Sequence, residues 1–172
     1  MYDAAIRNGK PTIHTISDLQ ACYNRQLPNI GCVVLESVGV NRNATRLLQK
    51  VLPIMQHHVA TDYGISDEYY GDKMNKLGGT GQGNSASGAI CRDTSCLIFK
   101  YLEIQNLGAE IHIASEKRRI QRVVVAFVDD TDFYANGEEY NNNMQNIMTQ
   151  YTSLYEATGG KIQESKVFFY CW

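Results

Sequence analysis

Apolar and polar positions alternate over residues 12–18, Thr-Ile-His-Thr-Ile-Ser-Asp, and predict a half-buried strand. Pro28 suits the first turn of a helix. Ile30, Val33, Val34 and Val38 then recur at helical spacing until Gly39 stops the run. Asn43 is placed to cap a second helix with Leu47, Leu48, Val51, Leu52 and Met55 as core candidates, and Pro53 should kink or end it. Residues 59–70 read as extended and irregular, and Gly78, Gly79, Gly81 and Gly83 as a flexible loop. A third helix is expected from about Ser85 to Glu103, with Ile90, Leu97, Ile98, Tyr101 and Leu102 toward the core. Val123 to Val128 is the strongest strand signal; Asp129-Asp130 interrupts it and Phe133-Tyr134 resumes, giving a β-hairpin with acids at its tip. Residues 138–157 read as a helix ending at Gly159-Gly160, and Val167 to Cys171 as a last strand.

This order predicts an α+β fold, an antiparallel sheet with helices packed on one face. There is no internal repeat, low-complexity tract or linker, so the 172 residues read as one domain with its own core. Hydrophobic residues at 44% and charged residues at 20% are ordinary for a soluble globular chain. No apolar run reaches the roughly 18 residues of a membrane helix, and the first ten residues lack a signal-type apolar segment. The expected location is therefore intracellular, cytoplasmic or nuclear, with no membrane partner. Five scattered cysteines without a C-x-x-C pair point to reduced thiols rather than zinc. A net charge of −2 gives no basic surface beyond Lys117-Arg118-Arg119 and Arg122. That argues against a self-sufficient nucleic-acid enzyme and for a fragment whose basic parts lie elsewhere.

Three acids stand out: Asp18 at the end of the first predicted strand, and Asp129 and Asp130 at the end of the most apolar one. Adjacent strands would bring them together. Clustered carboxylates repel one another and imply a cation. Magnesium suits such a site, being held by one or two carboxylates plus substrate phosphates. Two such ions about 4 Å apart activate an attacking 3′ hydroxyl and stabilise the leaving pyrophosphate. The plainer reading of Asp-Asp is a turn. His57-His58 invites a metal reading but fits a solvated helix end better, and Asp132 reads as another ligand or, in preference, a hairpin residue. Residues 117–122 fit either template phosphate or a charged, solvent-facing strand.

Phe127-Val128-Asp129-Asp130 resembles the aromatic-x-Asp-Asp signature of reverse transcriptases. Asp18-Leu19-Gln20-Ala21-Cys22-Tyr23 resembles their first palm motif, and Gly81-Gln82-Gly83-Asn84-Ser85-Ala86-Ser87 their Gln-Gly loop. Ala157-Thr158-Gly159-Gly160 and Lys166-Val167-Phe168-Phe169 are similar to the segment carrying the late palm lysine. The motifs stand in the family's order over about residues 12–171. Cys22-Tyr23-Asn24-Arg25 and Ala157-Thr158-Gly159-Gly160 look most like eukaryotic retroelements. The chain departs from the pattern in having Ser87-Gly88 where Ser-Pro is frequent, and Asn24 where an Asp is frequent.

The resemblance implies a palm-type sheet and template-directed deoxynucleotidyl transfer by an RNA-directed DNA polymerase. Its partners would be an RNA or DNA template with primer and deoxynucleoside triphosphates, and its cofactor Mg2+, or Mn2+ in its place. It makes Asp18 and Asp129 the magnesium ligands, supported by Asp130, and Lys166 the proton donor to pyrophosphate. Tyr23 would lie under the sugar, where a ring excludes the 2′ hydroxyl. Gln82 and Gly83 would lie beside the nascent base pair, glycine allowing close approach. The alternatives are a core aromatic for Tyr23, a flexible loop for Gln82 and Gly83, and a surface lysine for Lys166. Residues 1–172 are expected to be a partial domain, palm only, with fingers and thumb largely absent, and Trp172 suggests a chain cut inside a larger fold. Such a piece should have weak or no activity alone, because phosphoryl transfer depends on positioning. The competing reading is a catalytically inactive retroelement remnant. Another palm enzyme, an RNA polymerase or a nucleotide cyclase, fits Phe127 and Tyr23 less well.

Overall fold

The computed structural model describes residues 9–70, 79–81, 83–127 and 130–172. Eight strands are described: β1 Thr12–Asp18, β2 His57–Thr61, β3 Gly64–Tyr70, β4 Ala109–Ile113, β5 Arg118–Arg122, β6 Val124–Phe127, β7 Asp130–Asn136 and β8 Phe168–Cys171. The helices are α1 Cys22–Arg25, α2 Pro28–Ser37, α3 Arg42–Val51, α4 Ser85–Ile104 and α5 Tyr140–Ala157. They assort into two units. One comprises Met1–Gln20, Ser95–Ala157 and Lys161–Trp172; the other comprises Ala21–Thr94 and Thr158–Gly160. The α+β class and the antiparallel sheet follow the sequence expectation.

The first unit is built on a four-stranded antiparallel sheet in the order β6-β7-β1-β8. Period-two alternation sends Ile13, Thr15 and Ser17 to one face, opposite Cys171, Phe133 and Thr131 among their partners. That face is covered by α5. Tyr151 meets Phe133 edge-on at 4.6 Å between ring centres, and its hydroxyl donates to Thr131 Oγ1 at 3.3 Å. Residues 95–104 of α4 join this layer through Phe99, stacked on Tyr151, and Ser95, hydrogen-bonded to Tyr155. The opposite face of β1 carries Thr12, His14, Ile16 and Asp18. It is buried more than a half-buried strand would be, because β1 is central and the His14 ring stacks on Tyr134 at 4.6 Å.

The β4–β5 hairpin in this unit was not expected from the sequence, although its isoleucines alternate. Asn136, at the end of β7, stitches it on: Glu110 N–H donates to Asn136 Oδ1 and Asn136 Nδ2 donates to the Glu110 carbonyl, both at 2.9 Å. A side chain thus completes a backbone ladder. Residues 117–122 form the turn and the second strand, with Arg119 paired to Glu110 and Arg122 to Glu103. The exposed, charged-strand reading of this segment describes that geometry.

In the second unit, Pro28 opens α2 as expected, and Gly39 follows its end with φ +96°. The α3 cap is Asn41, not Asn43: the Asn41 side chain accepts from the Asn43 N–H at 2.8 Å. The inward arc of α3 runs through Thr45, whose hydroxyl bonds Glu36 of α2. Leu47 lies about 200° further round the helix and is 62% exposed, so it is not the core residue its character suggested. Pro53 ends the helix, which tightens into a short 3₁₀ turn over Leu52–Ile54. The histidine pair is not at a helix end. His57 and His58 open the β2–β3 hairpin, with His58 Nδ1 2.8 Å from the Ser66 carbonyl oxygen. Residues 85–94 of α4 pack on α2 at Gly31, where a Cβ would come within 2.2 Å of Ile90 Cγ2. Among the described residues, no helix is long and apolar enough to cross a membrane.

Candidate functional site

In the first unit, β1 ends on Asp18 and β7 begins on Asp130, and the pairing register makes these two residues direct partners. Direct antiparallel partners project from the same face with Cβ atoms about 4.5–5.5 Å apart. The backbone around Asp18 is fixed on its other side by the segment before β8. The Asp18 carbonyl accepts from Gln163 N–H at 2.9 Å, Leu19 bridges Ile162, and Gln20 N–H donates to the Lys161 carbonyl at 2.8 Å. The same segment turns through Glu164–Lys166 and delivers Lys166, whose Nζ donates to Asp18 Oδ2. The Asp18 side chain is 14% exposed and that of Lys166 is 62% exposed, so the ion pair opens to solvent from the lysine side.

Two residues along β7 on the same face, Asp132 pairs with buried His14, Nε2 to Oδ1 at 2.8 Å. Its carboxylate is therefore engaged in the sheet, in keeping with a hairpin residue. Phe127, the β6 partner of Asp130, is 79% exposed. The arrangement offers two carboxylates at the ends of the two central strands with an ammonium group beside one of them. Paired carboxylates are the oxygen-donor type that a hard cation takes together with phosphates and water. Among the described residues, no group of three or more His, Cys, Asp or Glu converges as a metal cluster.

The second unit holds the other residues singled out in the sequence. Tyr23 lies in the four-residue α1, entered through Ala21 with φ +49°. Three donors meet its carbonyl oxygen: Thr80 N–H at 2.8 Å, Gly81 N–H at 3.2 Å and the Thr80 hydroxyl at 3.1 Å. Gly79 sits so close to Asn24 that a Cβ would lie 2.2 Å from its carbonyl carbon. Ser87 Oγ reaches the carbonyls of Thr80 and Gly81 at 3.0 and 2.7 Å and braces the loop from α4. Gly159 closes on the same stretch, where a Cβ would lie 2.5 Å from the Arg25 carbonyl oxygen. Gly83, with φ +90°, has open space around its α-carbon. Thr80 was not singled out from sequence; a lone hydroxyl residue between glycines was the available signal.

The structure thus brings Asp18, Asp130 and Lys166 together in one unit, and Tyr23 and the glycine loop together in the other. Asp129 and Gln82 lie outside the described residues. Burial raises the Cys32 thiol above its ordinary value, with Glu36 adding to the effect. Glu110 is lowered, first by its hydrogen bond from Lys10 and then by the charges of Lys10 and Arg119.

This α+β fold recurs in part of several solved structures. It is similar to part of telomerase from Candida tropicalis solved with a TWJ fragment of telomeric RNA, with TM-score 0.64 and 13% identity over 99% of this chain and 28% of that one. Apo telomerase from the same organism, truncated from its C-terminal domain, gives 0.60 and 12% over 99% and 33%. Candida albicans telomerase with its TWJ fragment gives 0.55 and 11% over 98% and 28%. The chain spans a third or less of these structures, and at such identities the likeness is one of fold. No protein-family model and no curated protein matches the chain.

Proposed function

We propose that this chain is the palm of an RNA-directed DNA polymerase, of the kind carried by eukaryotic retroelements, acting by template-directed deoxynucleotidyl transfer. The observation that carries the reading is the direct pairing of Asp18 with Asp130 at the ends of the two central strands, with Lys166 on Asp18. The motif order in the sequence and the telomerase-like fold support it. The RNA in two of the telomerase structures supports a nucleic-acid partner.

In this reading Asp18, Asp129 and Asp130 supply the oxygen ligands for magnesium, for which manganese can substitute. The ion, when bound, supplies activation of the primer 3′ hydroxyl and neutralises charge on the leaving pyrophosphate. Strand pairing on one side and the Gln163 hydrogen bond on the other fix the Asp18 backbone. Lys166, which pairs with Asp18, would be the proton donor to pyrophosphate. Tyr23 would exclude a ribose 2′ hydroxyl, and Gln82 and Gly83 would serve the nascent base pair.

Primer extension on RNA and DNA templates, with magnesium or manganese and each nucleotide type, tests the proposal. Deoxynucleotide incorporation should fall by at least about a hundredfold in Asp18→Asn and in Asp130→Asn, as when a preorganised charge at the reacting phosphate is lost. Absence of incorporation by the unaltered chain on every template would favour the inactive remnant.

A further inference from the structure

The α1 helix has four residues, far too few to sustain itself. In a longer helix the Tyr23 carbonyl would accept from the N–H of residue 27. Here Leu27 N–H donates instead to the Thr158 carbonyl at 2.9 Å. The Tyr23 carbonyl is thus a helix-end orphan, and the glycine loop satisfies it, with both polar groups of Thr80 aimed at that one oxygen. Gly79 allows the approach, because any side chain there would collide with the Asn24 backbone. Ser87 then holds the loop's own carbonyls. The loop is tied to the backbone of the residue whose ring is read above as the sugar filter.

We infer that Thr80 is a positioning residue for Tyr23, and that discrimination between deoxyribo- and ribonucleoside triphosphates depends on its hydroxyl as well as on the Tyr23 ring. The inference rests on the polymerase reading. A steric filter works only if its ring cannot retreat, and a carbonyl anchored from three directions stops a four-residue helix from shifting. Loss of the hydroxyl donor should relax the ring and admit the 2′ hydroxyl, with little change in deoxynucleotide binding.

The test is equilibrium dialysis of the full chain with magnesium, using labelled dATP and ATP, with thermal midpoints recorded on the same samples. The unaltered chain should favour dATP, and Tyr23→Ala should abolish the preference. Thr80→Val should narrow the preference by about three- to tenfold, the scale of one hydrogen bond, through tighter ATP binding. Thr80→Ser should restore it. Ser87→Ala, which leaves Tyr23 and Thr80 intact, should move the ratio the same way by a smaller factor, and it decides the question if Thr80→Val does not fold. A purely structural Thr80 would instead weaken both nucleotides equally as the midpoint falls, and that result overturns the inference. An unchanged ratio in Thr80→Val, or in Ser87→Ala if only that variant folds, while Tyr23→Ala abolishes the preference, overturns it and leaves the polymerase reading standing. If the unaltered chain binds neither nucleotide, or both equally, the polymerase reading falls and the inference falls with it.

Discussion

Lys166 donates to Asp18 from a position mostly in solvent, so its ammonium occupies one of the directions from which a divalent ion would approach that carboxylate. Under the proposed function, the ammonium would compete with a metal ion as well as supply a proton. The strength of the contact is that of an exposed ion pair, worth less than about 1 kcal/mol. Lys166→Gln is therefore expected to tighten Mn2+ binding by about two- to fivefold, measured by electron paramagnetic resonance titration of free Mn2+. Asp18→Asn should weaken binding in the same assay. Unchanged Mn2+ affinity in Lys166→Gln would show that the lysine does not contend for the site. From the sequence, Asp18 and Lys166 were each legible as candidates through their motifs. Their contact was not, because nothing in a string of residues says which lysine a 3₁₀ turn will swing onto a distant strand end.

At the scale of elements, periodicity located most of what formed. α5 follows the 3.6-residue repeat closely, since Met144, Ile147, Tyr151 and Tyr155 bury one continuous face, whereas β1 formed where the alternation placed it but is buried on both faces. α3 formed as expected but turned differently, because the Thr45 hydroxyl bond to Glu36 fixed which arc faces inward. Helix packing also turns on a single missing side chain. Gly31→Ala would drive a methyl into the stiff, buried Ile90 of the facing helix, and overpacking of this sort costs about 1–3 kcal/mol. Even with the gain in helix propensity, a lower midpoint in urea unfolding is expected; a stabilised variant would mean that α2 and α4 can separate freely. The β4–β5 hairpin was missed because its strands are short and rich in charge, and its attachment comes from the side chain of Asn136. Its acid dependence follows from Glu110. Because the folded carboxyl lies below its ordinary value of 4.5, its stabilising contribution is present above that pH and fades as pH falls through the lowered folded value. The thermal midpoints of the unaltered chain and Glu110→Gln should therefore differ near neutrality and converge in acid below that range.

Over the whole molecule, the cysteines report how the core is distributed. Cys22, Cys32 and Cys91 are buried, whereas Cys96 and Cys171 are exposed, and burial pushes the Cys32 thiol above its ordinary value. An aromatic disulfide reagent should label two thiols rapidly in the native protein and the other three only on unfolding. Rapid labelling of more than two would contradict the packing of the second unit. The reading of reduced, unpaired cysteines required only their count and spacing; which of them are reachable required the fold.

The sequence by itself determined the α+β class, the alternation of β1, the existence of the long helices and the identity of the acids, because each depends on local period and residue chemistry. Tertiary structure decided the rest. The antiparallel register of β1 against β7 made Asp130 the direct partner of Asp18, and a slip of one residue would have sent the opposing side chains to the other face. The clasp of Thr80 on the Tyr23 carbonyl is of the same kind. Both join residues far apart along the chain, where the free energy of pairing depends on the whole core closing around them, and no local pattern of residues carries that information.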